Sequence, residues 1–290
     1  MEQSGVARGV VVLGMHRSGT SAVTGVIDAL GLPACRAEDR FPPRKWNARG
    51  NFESRSLTLF DEQLLNFLGG TWWAPPMPPK GWADRLALEG WRITAEYLFG
   101  VAHPTRAWVW KDPRACVLMP FWDRVLRSDP LRIVVLRNPL ESAASLNARD
   151  GMELDHALAL AERSLRVSLR DSAGRAVMIT SYDELLDDLD DWCRRAASFI
   201  TDRGVQLPDP IRVDDARSLL DDSLRHHREH ADLSSAAGAS AALGRLWNWA
   251  MERRGAHEAL SVRGLPRESP ATAARLKAAL SDFRPVRRAG

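Results

Sequence analysis

Cysteine is scarce in this chain of 290 residues: Cys35, Cys116 and Cys193 are scattered, with no C-x-x-C spacing. Neither a disulfide framework nor a cysteine zinc site is therefore indicated, and a reducing, cytoplasmic setting is expected. Apolar runs are short as well. The N-terminal stretch MEQSGVARGVVVLGM carries too few consecutive apolar residues to cross a bilayer and leads straight into a glycine-rich loop. It reads as a buried strand and not as a signal peptide, and no integral membrane segment is expected. There is no long basic block either. Lysine plus arginine number 40 against 37 aspartates and glutamates, with arginine supplying most of the positive charge. Such a balance favours local anion sites over general affinity for nucleic acid. No internal repeat is visible.

Hydrophobic content of 45% is enough for one substantial core. Val10 to Leu13 is a continuous β-branched run, the pattern of a central parallel strand covered on both faces. Ala22, Val23, Val26, Ile27 and Leu30 then recur at helical spacing up to Gly31. Pro33 to Asn51 reads as a loop, and Leu57, Phe60, Leu64 and Leu68 mark a helix stopped by Gly69 and Gly70. The proline and tryptophan segment TWWAPPMPPKGW that follows is either a binding lid or a tryptophan-pinned surface loop. Further strands are expected at Trp108 to Trp110, Leu131 to Asn138 and Ala176 to Thr180, each followed by a helix. This alternation predicts an α/β fold with a central parallel sheet between helical layers. Beyond Asp183 the signal is nearly all helical, interrupted by LPDP near residue 208 and by a small-residue connector, Ser234 to Ala242. A last amphipathic helix, Ala271 to Phe283, leads to a basic tail, Arg284 to Gly290. The chain is thus read as one domain over 1–290, with an α/β core to about 205 and a helical C-terminal extension.

Three clusters fall at the ends of consecutive strands: GMHRSGTS, KDPR and RNPLESAAS. Ligands of open α/β sheets sit beyond the carboxyl ends of the strands, so the three together predict a site. The loop Gly14 to Ser21 can wrap an anion with backbone N–H groups at the start of a helix. It is not a nucleoside-triphosphate loop of the G-x-x-x-x-G-K-[ST] kind, because Thr20 stands where that lysine belongs. Arg17 supplies the charge from inside the loop instead.

Arg17-Ser18-Gly19-Thr20-Ser21 resembles the 5′-phosphosulfate loop of sulfotransferases that use 3′-phosphoadenosine 5′-phosphosulfate (PAPS). A strand ending in Arg137 with Ser145 eight residues on is similar to the 3′-phosphate site of that family. Lys111 in WKDPR resembles the Lys-Asp-Pro of its protein-tyrosine branch, where the lysine stands near the leaving oxygen. Ser181 to Leu185 is similar to a further strand end of the family. The resemblance implies the P-loop three-layer α/β/α fold, with Arg17, Ser18, Gly19, Thr20 and Ser21 on the phosphosulfate, Arg137 and Ser145 on the 3′-phosphate, and Lys111 assisting the leaving group. Glu53, in WNARGNFESR, is the first candidate for the base; Glu38 and His16 compete with it. The acceptor it implies is a hydroxyl of a small molecule or carbohydrate, and PAPS serves as co-substrate with no metal. An ATP-dependent P-loop kinase and a non-catalytic nucleotide binder are the other two classes. His226 and His230 in LRHHREH lie one helical turn apart, but with no third ligand at suitable spacing they read as a solvated basic face. Trp72, Trp73, Trp82 and Trp91 line an acceptor pocket or belong to the core. The acceptor's identity and the oligomeric state are open at this level.

Overall fold

The computed structural model describes residues 8–42, 52–208, 213–220, 233 and 238–281. His226, His230 and the basic tail lie outside the described residues, as do parts of the Pro33 to Asn51 loop and of the Ser234 to Ala242 connector. The chain opens with β1 (Val10–Leu13), α1 (Thr20–Ala29), α2 (Arg55–Phe67), α3 (Glu89–Ala102), β2 (Val109–Trp110) and α4 (Ala115–Leu126). It continues with β3 (Leu131–Leu136), α5 (Pro139–Asp150), α6 (Leu154–Asp171), β4 (Val177–Ser181), α7 (Tyr182–Asp187) and α8 (Leu189–Thr201). The last elements are α9 (Val213–Arg217), α10 (Ala241–Met251), β5 (Gly255–His257) and α11 (Pro270–Ser281).

The sheet runs in the order β2-β1-β3-β4-β5. The first four strands are parallel, with Val10 opposite Val109 on one side and Leu131 on the other. Period-2 alternation sends neighbouring residues to opposite faces. Val10 and Val12 join Ile133 and Val135 under α1, α7, α8 and α9, whereas Val11 and Leu13 join Val134 and Leu136 under α2, α3, α4, α6 and α10. Both faces are therefore covered, which makes a three-layer α/β/α sandwich around a mostly parallel sheet. Helices α5 and α11 pack on α6 through Ala143, Leu146 and Leu276.

Two features go beyond the expectation. The helix α3 occupies a stretch to which the sequence pattern assigned no element. The C-terminal third, expected to be helical, also contributes β5, which pairs with β4 in antiparallel fashion, Val177 opposite His257. A smaller adjustment concerns Asn138, read as strand: β3 ends at Leu136, and the Asn138 side chain caps α5 by accepting from the Leu140 N–H at 3.0 Å.

Strand order fixes the site. Because β1 lies between β2 and β3, the chain leaves β1 for α1 on one face and leaves β3 for α5 on the other. The crevice between those two exits is the topological switch point of the sheet.

Candidate functional site

The loop between β1 and α1 is built by two left-handed residues, Arg17 at φ 67° and Gly19 at φ 88°. Glycine at 19 is required twice over, since a Cβ there would also stand 2.3 Å from Cδ2 of Tyr182. Arg17 has no such exemption. A non-glycine residue in that region is strained unless its surroundings hold it there. Here Nη1 of Arg137 donates to the Arg17 carbonyl at 3.1 Å, and the Arg137 guanidinium lies 5.1 Å from the centre of the Tyr182 ring. The Ser18 hydroxyl closes the loop by donating to the Met15 carbonyl at 2.7 Å. The N-terminus of α1 has neither a capping side chain nor an acidic residue in its first turn. Its N–H groups and positive dipole end face the loop without a built-in anion.

The residues expected to bind two ends of a nucleotide are in direct contact. Nε of Arg17 donates to Oγ of Ser145 at 2.8 Å. Arg137 also pairs with Glu141 at 3.0 Å, one turn along α5, so it has a structural carboxylate as well as its place beside the loop. Ser18 and Thr20 are buried, and Ser21 accepts from Nζ of Lys111 at 3.0 Å.

Lys111 is buried, its side chain 1% exposed. Its partner is Glu53: Nζ meets Oε1 at 2.5 Å, and the Glu53 side chain is 12% exposed. The two residues singled out for leaving-group assistance and proton removal thus sit together at the tip of β2. Asp112 has other work. Oδ1 accepts from the Arg114 backbone N–H at 2.8 Å and from Nη1 at 3.1 Å, and Oδ2 accepts from the Thr58 hydroxyl at 3.1 Å. Arg114 also reaches Glu62 at 2.8 Å. Although burial alone would lower the Arg114 pKa, the carboxylates of Asp112 and Glu62 outweigh it and raise the value. Behind them Asp61 is fully buried, with Oδ1 held by the Trp122 indole at 2.9 Å. Burial, then the nearby Asp112 charge, pushes Asp61 well above the usual carboxylate range.

Of the other base candidates, Glu38 is an exposed residue in a short 3-10 turn, Ala37–Asp39, near the start of α2; its backbone carbonyl accepts from Arg55 at 2.7 Å. His16 lies in the loop with its ring centroid 4.6 Å from that of Trp72. The tryptophan segment is pinned by α6: His156 Nε2 bonds the Trp73 carbonyl at 2.7 Å, and Arg163 donates to the Pro75 carbonyl at 2.6 Å. Its backbone is held as a wall against the loop. Trp82 is core, Trp91 packs edge-on against Phe60, and Trp72 lies between His16 and the Arg149 guanidinium, 5.8 Å from its centre.

Five cations converge here: Arg17, Lys111, Arg114, Arg137 and Arg149. Four have carboxylate partners, Arg149 pairing with Asp150 at 2.6 Å. Among the described residues, Arg17 has none. Burial first, then the Arg149 and Arg137 charges, lower its pKa. Tyr182, Glu141 and Arg149 were not singled out as site residues, and Trp72 was left open between acceptor pocket and core; of the first three, Glu141 carried a local signal, its i,i+4 spacing from Arg137. A cleft of about 210 Å³ lies between α3 and α4, but its charges are engaged with one another, Arg124 with Asp84 at 2.7 Å and Arg92 with Glu89 at 3.4 Å. Among the described residues no group of His, Cys, Asp and Glu is arranged to hold a metal, and no helix is long and apolar enough to cross a membrane.

No family model and no curated protein matches the chain. Among solved structures it is similar to the sulfotransferase STF1 from Mycobacterium tuberculosis H37Rv, at 16% identity over 86% of this chain and 76% of that one, with a TM-score of 0.42. It is also similar to the sulfotransferase domain of the Synechococcus PCC 7002 olefin synthase, at 15% identity over 98% of each chain, with a TM-score of 0.43. At these identities and TM-scores neither similarity assigns a chemistry to this chain.

Proposed function

We propose that this protein is a sulfotransferase that moves the sulfuryl group of PAPS to a hydroxyl of a small-molecule or carbohydrate acceptor. The observation that carries the reading is the contact of two basic side chains at the switch point: Arg17, without a carboxylate partner among the described residues, on Ser145 at 2.8 Å, and Arg137 on the Arg17 carbonyl at 3.1 Å. A half-buried guanidinium with no counter-ion among the described residues, beside an uncapped helix N-terminus, suits an anionic ligand. Thr20 in the lysine position disfavours a triphosphate.

Arg17 to Ser21 would cradle the 5′-phosphosulfate, and Arg137 with Ser145 the 3′-phosphate. Lys111 already reaches Ser21 in the first turn of α1, so its ammonium can neutralise charge developing on the bridging oxygen. The acceptor oxygen forms its bond to sulfur as the bond from sulfur to the bridging oxygen breaks, the electron pair leaving with the phosphate. Glu53 takes the acceptor's proton. Its pairing with Lys111 keeps that carboxylate beside the leaving-group cation, so proton acceptor and leaving-group cation share one place. The products are a sulfate ester and adenosine 3′,5′-bisphosphate.

The test is transfer of labelled sulfate from PAPS to a panel of hydroxyl compounds. Sulfation of any acceptor class supports the reading. Binding of PAPS without transfer to any compound or to water would leave a nucleotide binder, and phosphorylation from ATP with magnesium would make the protein a kinase.

A further inference from the structure

His16 is a histidine placed inside an anion-binding loop with one ring nitrogen unused. Its ring rests against Trp72, and its Nε2 is buried without a hydrogen-bond partner among the described residues. A buried polar atom left in that state calls for an explanation. Four cations face it: Arg17 from the loop, Lys111 and Arg114 from the tip of β2 and the turn into α4, and Arg149 from α5. Most carboxylates on these elements and on α2 are already paired with cations, Glu53 with Lys111, Asp112 and Glu62 with Arg114, Glu141 with Arg137 and Asp150 with Arg149, while Asp61 accepts from the Trp122 indole; Glu62 also accepts from the Trp72 N–H at 3.4 Å.

We propose that His16 takes up a proton when the loop binds its anion, and that the new Nε2–H donates a hydrogen bond to that anion. This rests on the reading of the loop as a phosphosulfate site and deepens it. In the free protein the imidazole is neutral: burial first, then Arg114, Arg149, Lys111 and Arg17, hold its pKa well below the usual histidine value. An anion in the loop changes two of these conditions. It offsets the four cations, and it supplies the acceptor that an Nε2–H lacks in the free protein. The proton comes from solvent and occupies the Nε2 lone pair, so ligand binding consumes protons. By linkage, this part of the affinity strengthens as pH falls and fades as pH rises.

The experiment is calorimetric titration of the full chain with adenosine 3′,5′-bisphosphate in two buffers of different ionisation enthalpy, which counts protons taken up. The same titration is run on His16→Gln. The phosphates titrate identically in both, so the difference belongs to His16. Wild type should take up more protons than the variant, the difference approaching about one per nucleotide near pH 6 and vanishing near pH 8, on either side of an ordinary histidine value. Equal counts would overturn the proposal while leaving the loop a nucleotide site. Absence of binding to wild type would overturn the functional reading together with it. Wild type labelled with ¹³C-histidine gives a check independent of the variant's fold: at pH 6 one imidazole should shift to its cationic position on addition of the bisphosphate, and no shift would sink the idea.

Discussion

Nε of Arg17 donates to Oγ of Ser145 at 2.8 Å, joining positions 128 residues apart. One group belongs to a loop after β1 and the other to the helix after β3, so their contact ties the two exits of the switch point together. A ligand that bridges these exits with two phosphates would exchange this hydroxyl for stronger, charge-assisted partners.

Arg137→Ala is expected to weaken binding of adenosine 3′,5′-bisphosphate by about 1.5 to 3 kcal/mol, the worth of hydrogen bonds to a charged group. The variant also frees the Arg17 carbonyl and strands Glu141, so Glu141→Gln is the control for the ion pair alone. Titration calorimetry on both variants separates the roles. Affinity lost equally in both would assign Arg137 to structure and not to the ligand.

Glu53→Gln is expected to lower turnover about 100-fold or more, with bisphosphate binding retained. It leaves the buried Lys111 charge without its counter-ion, which costs about 3 to 5 kcal/mol of stability. The double variant Glu53→Gln with Lys111→Met should recover stability but not activity. Urea unfolding beside single-turnover kinetics checks both halves, and full activity in the single variant would remove Glu53 as the base.

Gly19→Ala should abolish nucleotide binding. Its Cβ would meet Tyr182 at 2.3 Å, and its φ of 88° disfavours any side chain. Adding Tyr182→Ala relieves the clash but not the backbone strain, so affinity should return only in part. Full recovery in the double variant would show that the clash alone matters.

His103 provides a pH dependence away from the site. It is buried with both ring nitrogens unpartnered among the described residues, stacked 4.6 Å from Phe99, and burial lowers its pKa to about 3. The folded value lies below the unfolded value of about 6.5, so the stability it permits is complete above about 6.5 and is lost as pH falls towards about 3. His103→Phe should flatten the acid side of the urea-midpoint profile between about pH 6.5 and 4 relative to wild type. An unchanged profile would mean that other groups set acid stability.

Much of this site was legible because its signals are local. Gly14 to Ser21 and Arg137 to Ser145 each encode a strand end, a turn and a helix start within a few residues, and the strand order then brings them together. The pairing of Glu53 with Lys111 spans 58 positions, and that of Gly19 with Tyr182 crosses from β1 to β4; neither leaves a trace in local pattern. Helix α3 escaped notice because it is apolar on two sides. Ala95, Phe99 and Ala102 face the core while Ile93, Tyr97 and Val101 face solvent, which blurs the helical period. β5 is three residues, Gly255 to His257, too short and too lacking in β-branched residues to register as a strand. The tryptophan segment, open between lid and pinned loop, is decided by contacts from α6 that no local reading could supply.

Whether two clamps grip one adenine nucleotide is read out by calorimetry with adenosine 3′,5′-bisphosphate in the presence of a metal chelator. The expected result is one-to-one binding that needs no magnesium and is weakened by Arg17→Ala and by Arg137→Ala alike. Absence of binding by the wild type, or binding of ATP only when magnesium is supplied, would contradict it.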